Sequence, residues 1–221
     1  MIDYARARAN MVDSQVRTSD VTDLRLQAAL MDVPREAFLP VALRPIAYID
    51  EDLLLKQTPE GGRFLMEPAP FARLVQLATI DRAELVLDIG CGTGYSAAVL
   101  ARLAESVVAL ESDPDLAAGA NSALMESGTG NVAVVSGDLA AGYPSEGPYD
   151  VIVLEGAVDF VPQALFDQLK DGGRLVAVVG VGRAAKAMLY RRVEDVVAGF
   201  PAFDCAVRPL PGFAAVPAFV F

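Results

Sequence analysis

Histidine is absent from this 221-residue chain, and its absence excludes whole classes of chemistry. Ser-His-Asp hydrolysis and Cys-His catalysis need an imidazole base, and most zinc sites need imidazole ligands. Cysteine is nearly absent as well, with only Cys91 and Cys205, far apart in the sequence. Two cysteines without histidine do not complete an ordinary zinc site, so no metal is expected, and a disulfide has no role in a reducing compartment. Cys91 lies in a glycine-rich stretch with no basic residue nearby to lower its pKa, so it is read as a small filler and not as a nucleophile.

Positive charge is also in short supply. Lys and Arg number 18 against 29 Asp and Glu, for a net charge of −11. Lysine is scarce and no basic run occurs, which argues against nucleic acid as a partner. The bland consequence of the acidity is a well-solvated surface. Long apolar runs are missing too: none approaches the roughly 18–20 residues that span a bilayer. The opening Met1-Ile-Asp-Tyr-Ala-Arg6 leads into no apolar segment of the kind a signal peptide needs. These absences predict a cytoplasmic protein with no membrane partner.

What is present suits a packed fold. Hydrophobic residues make up 53% of the chain and charged residues 21%, enough for a sizeable core in a single domain over residues 1–221. The first 80 residues read as a helical extension. Apolar residues recur at helical spacing from Asp20 to Met31, behind Ser19 and Asp20 as candidate caps, and Pro34 ends that pattern. Residues 56–70 read as a loop, because Pro59, Gly61, Gly62, Pro68 and Pro70 crowd into them. A helix is expected to begin near Phe71.

From residue 81 onward short apolar runs alternate with helical segments. Strands are predicted at Leu85–Ile89, Val107–Leu110, Val132–Val135, Tyr149–Leu154 and Arg174–Val179, with helices at 96–103, 114–127 and 161–170 between them. Apolar runs ending in glycine or an acid are what buried parallel strands look like. The alternation predicts an α/β fold with a doubly wound, Rossmann-like, mostly parallel sheet. The stretches around Tyr190–Val193, Phe203–Pro209 and Phe213–Phe221 read as strands added antiparallel to one edge.

Ligands of such sheets bind at the carboxyl ends of the strands. There the first predicted strand runs into Asp88-Ile-Gly90-Cys91-Gly92-Thr-Gly94-Tyr95. The glycines let backbone amides approach a ligand closely. A dinucleotide fingerprint, G-x-G-x-x-G, would require glycine where Tyr95 stands, and Asp88 would repel a pyrophosphate. S-adenosyl-L-methionine instead carries an ammonium group that Asp88 can pair with. Glu111, at the end of the second strand and followed by Ser112, is placed to take ribose hydroxyls. Asp138, between Gly137 and Leu139 after the third strand, is placed for the adenine amino group. Any one of these acids alone reads as a solvated loop residue; together, at successive strand ends, they predict a cofactor site.

Several motifs then carry a resemblance to one family. Met11-Val-Asp-Ser-Gln-Val16, Val33-Pro-Arg-Glu-Ala-Phe-Leu-Pro40 and Ala47-Tyr-Ile-Asp50 are similar to the N-terminal signature of the protein-L-isoaspartate O-methyltransferases. Gly90–Gly94 with Tyr95, Ala97–Leu100, Asn131-Val132, Gly137-Asp138 and Pro148-Tyr-Asp150 extend the match over most of the chain. The resemblance implies methylation of isoaspartyl carboxylates in damaged proteins or peptides, a repair reaction. The acceptor carboxylate is already ionised at neutral pH and needs no general base, in keeping with a chain that lacks histidine. The family commonly reads G-Q-T-I-S-x-P, with a serine that contacts substrate. Here Gln57-Thr58 is followed by a longer insert, and if Pro68 aligns with the family proline, Met66 stands where that serine would be. After the fourth strand, Glu155-Gly-Ala157 replaces the usual Thr-Ala-Ala. Thr58, Met66, Glu67 and Glu155 are therefore the substrate-side candidates, and the two glutamates predict an unexpectedly negative pocket. Two other readings stay open: a relative that methylates a different acceptor, and a module that binds the cofactor without turnover.

Overall fold

A computed structural model describes residues 2–59, 61–180 and 182–215. The expected strands are there as β3 (Leu85–Ile89), β4 (Ser106–Glu111), β5 (Val132–Ser136), β6 (Tyr149–Val158) and β7 (Leu169–Val179). They are joined by β8 (Lys186–Val193) and β9 (Val196–Asp204) in a sheet of order β5-β4-β3-β6-β7-β8-β9. Strands β3 to β7 pair in parallel, and β8 and β9 add on antiparallel. The chain winds outward from β3 to β5, then returns to place β6 on the other side of β3. That reversal opens a crevice at the carboxyl ends of β3 and β6.

Period-two alternation explains why these strands are apolar throughout. Val86, Val107, Val151 and Val176 face one hydrophobic cluster, while Leu87, Val108, Ile152 and Leu175 face another on the opposite side. Both faces are covered, as a parallel sheet requires. The first cluster includes the N-terminal residues Met11, Leu26, Leu30 and Phe38 along with α3 (Pro68–Ala78) and α4 (Tyr95–Leu100). The second includes Leu165, Leu210 and Phe213.

The N-terminal part opens with α1 (Tyr4–Met11), which continues through a π-helical turn at Val12–Val16 and a 3-10 turn at Arg17–Ser19. Helix α2 covers Leu24–Asp32, and its cap is Asp23, whose side chain accepts from the amides of Arg25 and Leu26. The cap thus lies downstream of Ser19 and Asp20; Asp20 itself takes a left-handed conformation at φ 62°. Helix α3 starts at Pro68 rather than near Phe71, because a proline at the first helical position needs no amide partner. Helix α5 (Pro114–Glu126) follows β4, capped by Asp113. Helix α6 is short, Gln163–Asp167, because Leu169 and Lys170 already belong to β7. Among the described residues no helix is long and apolar enough to cross a membrane.

The largest departure from the sequence reading lies at 56–70. It is not a loop but mainly an antiparallel hairpin, β1 (Leu53–Thr58) and β2 (Gly61–Leu65), with Leu53 opposite Leu65 and Thr58 opposite Gly61. Pro59 marks only its turn, and the glycines fall inside a strand whose Arg63 and Leu65 point inward. At the other end of the chain, residues 207–213 are not a sheet strand. They run along the end of β6, joined to it by hydrogen bonds from the Ala157 amide to the Arg208 carbonyl (2.9 Å) and from the Leu210 amide to the Ala157 carbonyl (2.8 Å). Of the expected strand at Phe213–Phe221, residues 216–221 lie outside the described residues.

Candidate functional site

The hairpin β1–β2 and the 207–213 strap both lie against the carboxyl ends of the strands. Between them and the sheet is a cavity of about 410 Å³, lined by Thr58, Arg63, Ser112, Asp138, Leu139 and Pro211 among others. The structure therefore brings together the ends of β4 and β5, as the strand order demands.

Glu111 organises the cavity's inner wall. It is fully buried, and its carboxylate accepts from the backbone amides of Gly92 (2.8 Å), Ser112 (2.9 Å) and Asp113 (3.1 Å). Its Oε2 also accepts from Arg63 Nη2 at 2.5 Å. Arg63 is 3% exposed and comes from β2. Asp138 is exposed at the rim, where its Oδ1 accepts from the Ala140 amide (3.0 Å). The Gly137 amide donates to the Glu111 carbonyl (3.1 Å), holding the ends of β4 and β5 in register.

The glycine loop is covered by side chains of the hairpin and the strap. Gly90 has φ +83° and Gly92 φ +56°, and both bear close neighbours from the elements above. A Cβ on Gly90 would meet Leu210 Cδ1 at 2.6 Å and Arg63 Nη2 at 3.1 Å; one on Gly92 would meet Leu55 Cδ1 at 2.9 Å. Gly94 serves packing instead: a Cβ there would touch Ala120 of α5 at 3.2 Å. Asp88 is fully buried at the end of β3; its Oδ2 accepts from Ser96 Oγ (2.7 Å) and its Oδ1 has no partner. Burial raises its carboxyl to about 7, with the Glu111 charge adding to the rise, while the Ser96 bond and Arg63 oppose it. Cys91 is buried, and desolvation with the neighbouring acids raises its thiol well above the ordinary value. Such a thiol stays protonated and unreactive.

Tyr95 stands at the start of α4 but its ring turns away from the cavity. It packs against Phe38 and Phe71, with the Arg35 guanidinium 4.9 Å from the ring centroid. Only its backbone belongs to the loop.

The substrate-side candidates separate in space. Thr58 lines the cavity, and its hydroxyl donates to the Gly61 carbonyl (2.8 Å) across the hairpin turn. Met66 is buried in the first core cluster; what it offers is its backbone carbonyl, which accepts from Arg35 Nη2 (2.6 Å). Glu67 lies in a different cavity, with Asp50, Arg73 and Cys205. Burial and the charges of Asp52, Asp50 and Glu51 raise its carboxyl to about 7. Glu155 follows Leu154, which pairs with Ile89, so it sits beside Gly90. Its Oε1 is buried without a partner. Desolvation, then the Asp88 charge, raises its carboxyl well above the ordinary value.

Sequence reasoning missed three residues at this site: Arg63, Leu55 and Leu210. Lys56 was also missed; its ammonium reaches Asp113 (2.7 Å) and Asp115 (2.7 Å) and ties the hairpin to the start of α5. A signal existed for Arg63, namely an arginine on the same strand face as Leu65. It could be used only once the segment was known to be a strand.

A second cavity, of about 400 Å³, has Leu210 in its wall. It is lined by Gly61, Phe64, Ala157, Asp159 and Phe213, and it shares Pro211 and Gly212 with the first.

Comparison with known proteins identifies the family. The family model described as protein-L-isoaspartate(D-aspartate) O-methyltransferase matches residues 6–203. The protein-L-isoaspartate O-methyltransferase of Methanoculleus marisnigri is 42% identical over 207 residues, covering 94% of this chain and 92% of its own length. That of Koribacter versatilis is 36% identical over 209 residues, covering 95% and 92%. A solved structure named protein-L-isoaspartate O-methyltransferase matches with a TM-score of 0.79 at 28% identity, over 93% of this chain and 67% of its own. A Plasmodium falciparum structure in complex with S-adenosyl-L-homocysteine shares the fold, with a TM-score of 0.74 at 17% identity over 96% and 100% of the two chains.

Proposed function

This chain belongs to the protein-L-isoaspartate(D-aspartate) O-methyltransferase family, and we propose that it methylates the free carboxylate of isoaspartyl residues in proteins and peptides. The observation that carries the cofactor half of this reading is Glu111, a fully buried carboxylate at the end of β4 that holds Arg63, Ser112 and Asp113, three residues lining a cavity of about 410 Å³. The residues fit S-adenosyl-L-methionine: Gly90 and Gly92 offer backbone covered only by side chains of the hairpin and the strap, and among the described residues Asp88 keeps a buried oxygen without a partner.

In this reading Glu111 holds the ribose hydroxyls, Asp138 and the Leu139 region hold the adenine, and Asp88 pairs with the ammonium group. Ser112 and Gly137 supply backbone, and Tyr95 anchors the loop through its packing. Bound adenosylmethionine supplies a sulfonium methyl open to in-line attack by a carboxylate oxygen. The chain's own work is alignment and the exclusion of water. Leu55 from the hairpin and Leu210 from the strap supply apolar cover above the glycine loop. No residue need take a proton, since the acceptor is ionised. Residues 1–80 serve as the substrate-side extension of the 81–221 core. A cytoplasmic repair role accompanies the reading, supported by two buried free thiols, Cys91 and Cys205, that suit a reducing compartment.

The test is methyl transfer from labelled adenosylmethionine to an isoaspartyl peptide and to its aspartyl twin. We expect label in the first alone; equal counts in both, at the level of a peptide-free blank, reject the reading.

A further inference from the structure

The position of Arg63 conflicts with a cofactor site that is ready to fill. Its guanidinium holds Glu111, the residue needed for ribose, and lies over Gly90, where the cofactor must pass close to the backbone. Among the described residues its Nε is buried without a partner, so the side chain is not fully satisfied where it stands. Leu210 fills the remaining space over Gly90. Arg63 lines the first cavity and Leu210 the second, and the two cavities already share Pro211 and Gly212. Cofactor binding at the glycine loop must therefore displace this pair of side chains.

Glu111 loses little when Arg63 leaves, because three backbone amides still hold its carboxylate. Arg63 by contrast loses its one acceptor among the described residues and needs another anion. It cannot travel far, since it is fixed in β2 by the pairing of Gly62 with Gln57 and of its own backbone with Lys56. The second cavity is directly beside it, lined by its strand neighbours Gly61, Gly62 and Phe64.

We propose that Arg63 is the substrate-binding cation of this enzyme: it guards Glu111 in the free protein and, once the cofactor claims Glu111, turns to hold the acceptor's carboxylate. One carboxylate oxygen is held by the guanidinium fork and the other is left free to attack. A cation then does in this chain what a serine does in relatives with the shorter loop. The inference rests on the isoaspartyl reading, and it explains how an acidic protein selects an anionic acceptor.

The test uses the full-length protein as wild type, Arg63→Met and Arg63→Lys. Calorimetry with S-adenosylhomocysteine reads the guarding role, and we expect Arg63→Met to bind it three- to tenfold more tightly than wild type. Titration of an isoaspartyl peptide into the S-adenosylhomocysteine complex reads the acceptor role. We expect Arg63→Met to weaken peptide binding, and to raise KM, by at least twentyfold with kcat changed less than threefold, and Arg63→Lys to recover part of the loss. S-adenosylhomocysteine binding weakened tenfold with peptide KM unchanged would make Arg63 a cofactor ligand and overturn the proposal. Both affinities unchanged would make it a structural residue and overturn it equally. Should Arg63→Met fail to fold, Arg63→Lys with a peptide affinity equal to wild type is also a refutation. A wild type inactive on isoaspartyl peptide sinks the functional reading instead, and the S-adenosylhomocysteine measurements on the variants still report on the guarding role.

Discussion

Replacing Glu111 by alanine perturbs both the free protein and the cofactor complex, and the structure predicts different sizes for the two effects. In the free protein the substitution strands Arg63, which is 3% exposed. Removing one partner of a buried ion pair costs about 3–5 kcal/mol when the survivor stays buried. Here Arg63 lines a cavity of about 410 Å³, so it can turn toward water, and we expect about 2–3 kcal/mol instead. The amides of Ser112 and Asp113 can rehydrate from the same cavity, whereas that of Gly92 is buried and loses its acceptor. Charge-assisted hydrogen bonds to ribose contribute about 1.5–3 kcal/mol. Part of that is already offset in wild type, because binding must first break the Arg63 contact. The expected loss of S-adenosylhomocysteine affinity is therefore roughly 10- to 30-fold at about 1.4 kcal/mol per decade. Urea unfolding monitored by far-UV circular dichroism gives the first quantity and isothermal calorimetry the second. Glu111→Gln keeps the volume and one acceptor oxygen, and should fall between wild type and Glu111→Ala in both. If the variants lose stability but bind S-adenosylhomocysteine within about twofold of wild type, Glu111 is a structural partner of Arg63 and the ribose assignment fails.

Three further outcomes follow from the same geometry. Gly90→Ala places a methyl 2.6 Å from Leu210 Cδ1 at a backbone φ of +83°, so it should abolish measurable S-adenosylhomocysteine binding in calorimetry; wild-type affinity would show that the loop is not the floor of the site. The Asp88 carboxyl is raised from 3.8 to about 7 in the folded chain, so the folded state binds the extra proton between those values and stability falls as pH rises through that window. Asp88→Asn should flatten the dependence of Tm on pH from 4 to 7, and it should also remove the gain in S-adenosylhomocysteine affinity expected as Asp88 ionises near pH 7; parallel profiles for variant and wild type would refute both. Lys56→Ala removes the tie to Asp113 and Asp115, and backbone amides of the 53–65 hairpin should then exchange with deuterium several-fold faster while those of β3 are unaffected.

The sheet was legible because burial on both faces leaves strands that are apolar throughout, ended by a glycine or an acid where the ligand crevice begins. Leu85–Ile89 with Gly90, and Ser106–Glu111, show this directly. Asp88, Glu111 and Asp138 were legible for the same reason, since strand order alone fixes where strand ends meet. The hairpin was hidden by its own composition. Pro59, Gly61 and Gly62 are turn formers, and the strands they separate are only five and six residues long. Once the hairpin was missed, Arg63 was missed with it, because its partner lies 48 residues away in sequence and no local pattern connects them. Tyr95 shows another limit. Its place in the loop sequence was plain, but the direction of its ring depends on Phe38 and Phe71, which come from two other elements.

The charge puzzle posed by Glu67 and Glu155 resolves through position and burial. A carboxylate acceptor approaching two ionised glutamates would be repelled. Glu67 sits in a separate cavity beside Asp50 and Arg73, so its charge is directed elsewhere. Glu155 is beside the glycine loop, but burial and the Asp88 charge shift its carboxyl upward, which disfavours its charged form. Asp88, with its carboxyl at about 7, is half-ionised near neutrality and gains its full charge only when an ammonium group stands next to it. The acids on the inner wall are therefore conditional charges, and Glu111 alone is neutralised by a guanidinium in the free protein. Adding a cationic cofactor is what shifts that arrangement: it compensates the acids and releases Arg63 at the same time. On this argument acceptor binding should follow cofactor binding, and an isoaspartyl peptide should show no affinity for the free protein in calorimetry; measurable affinity there would mean the acceptor site exists without the exchange.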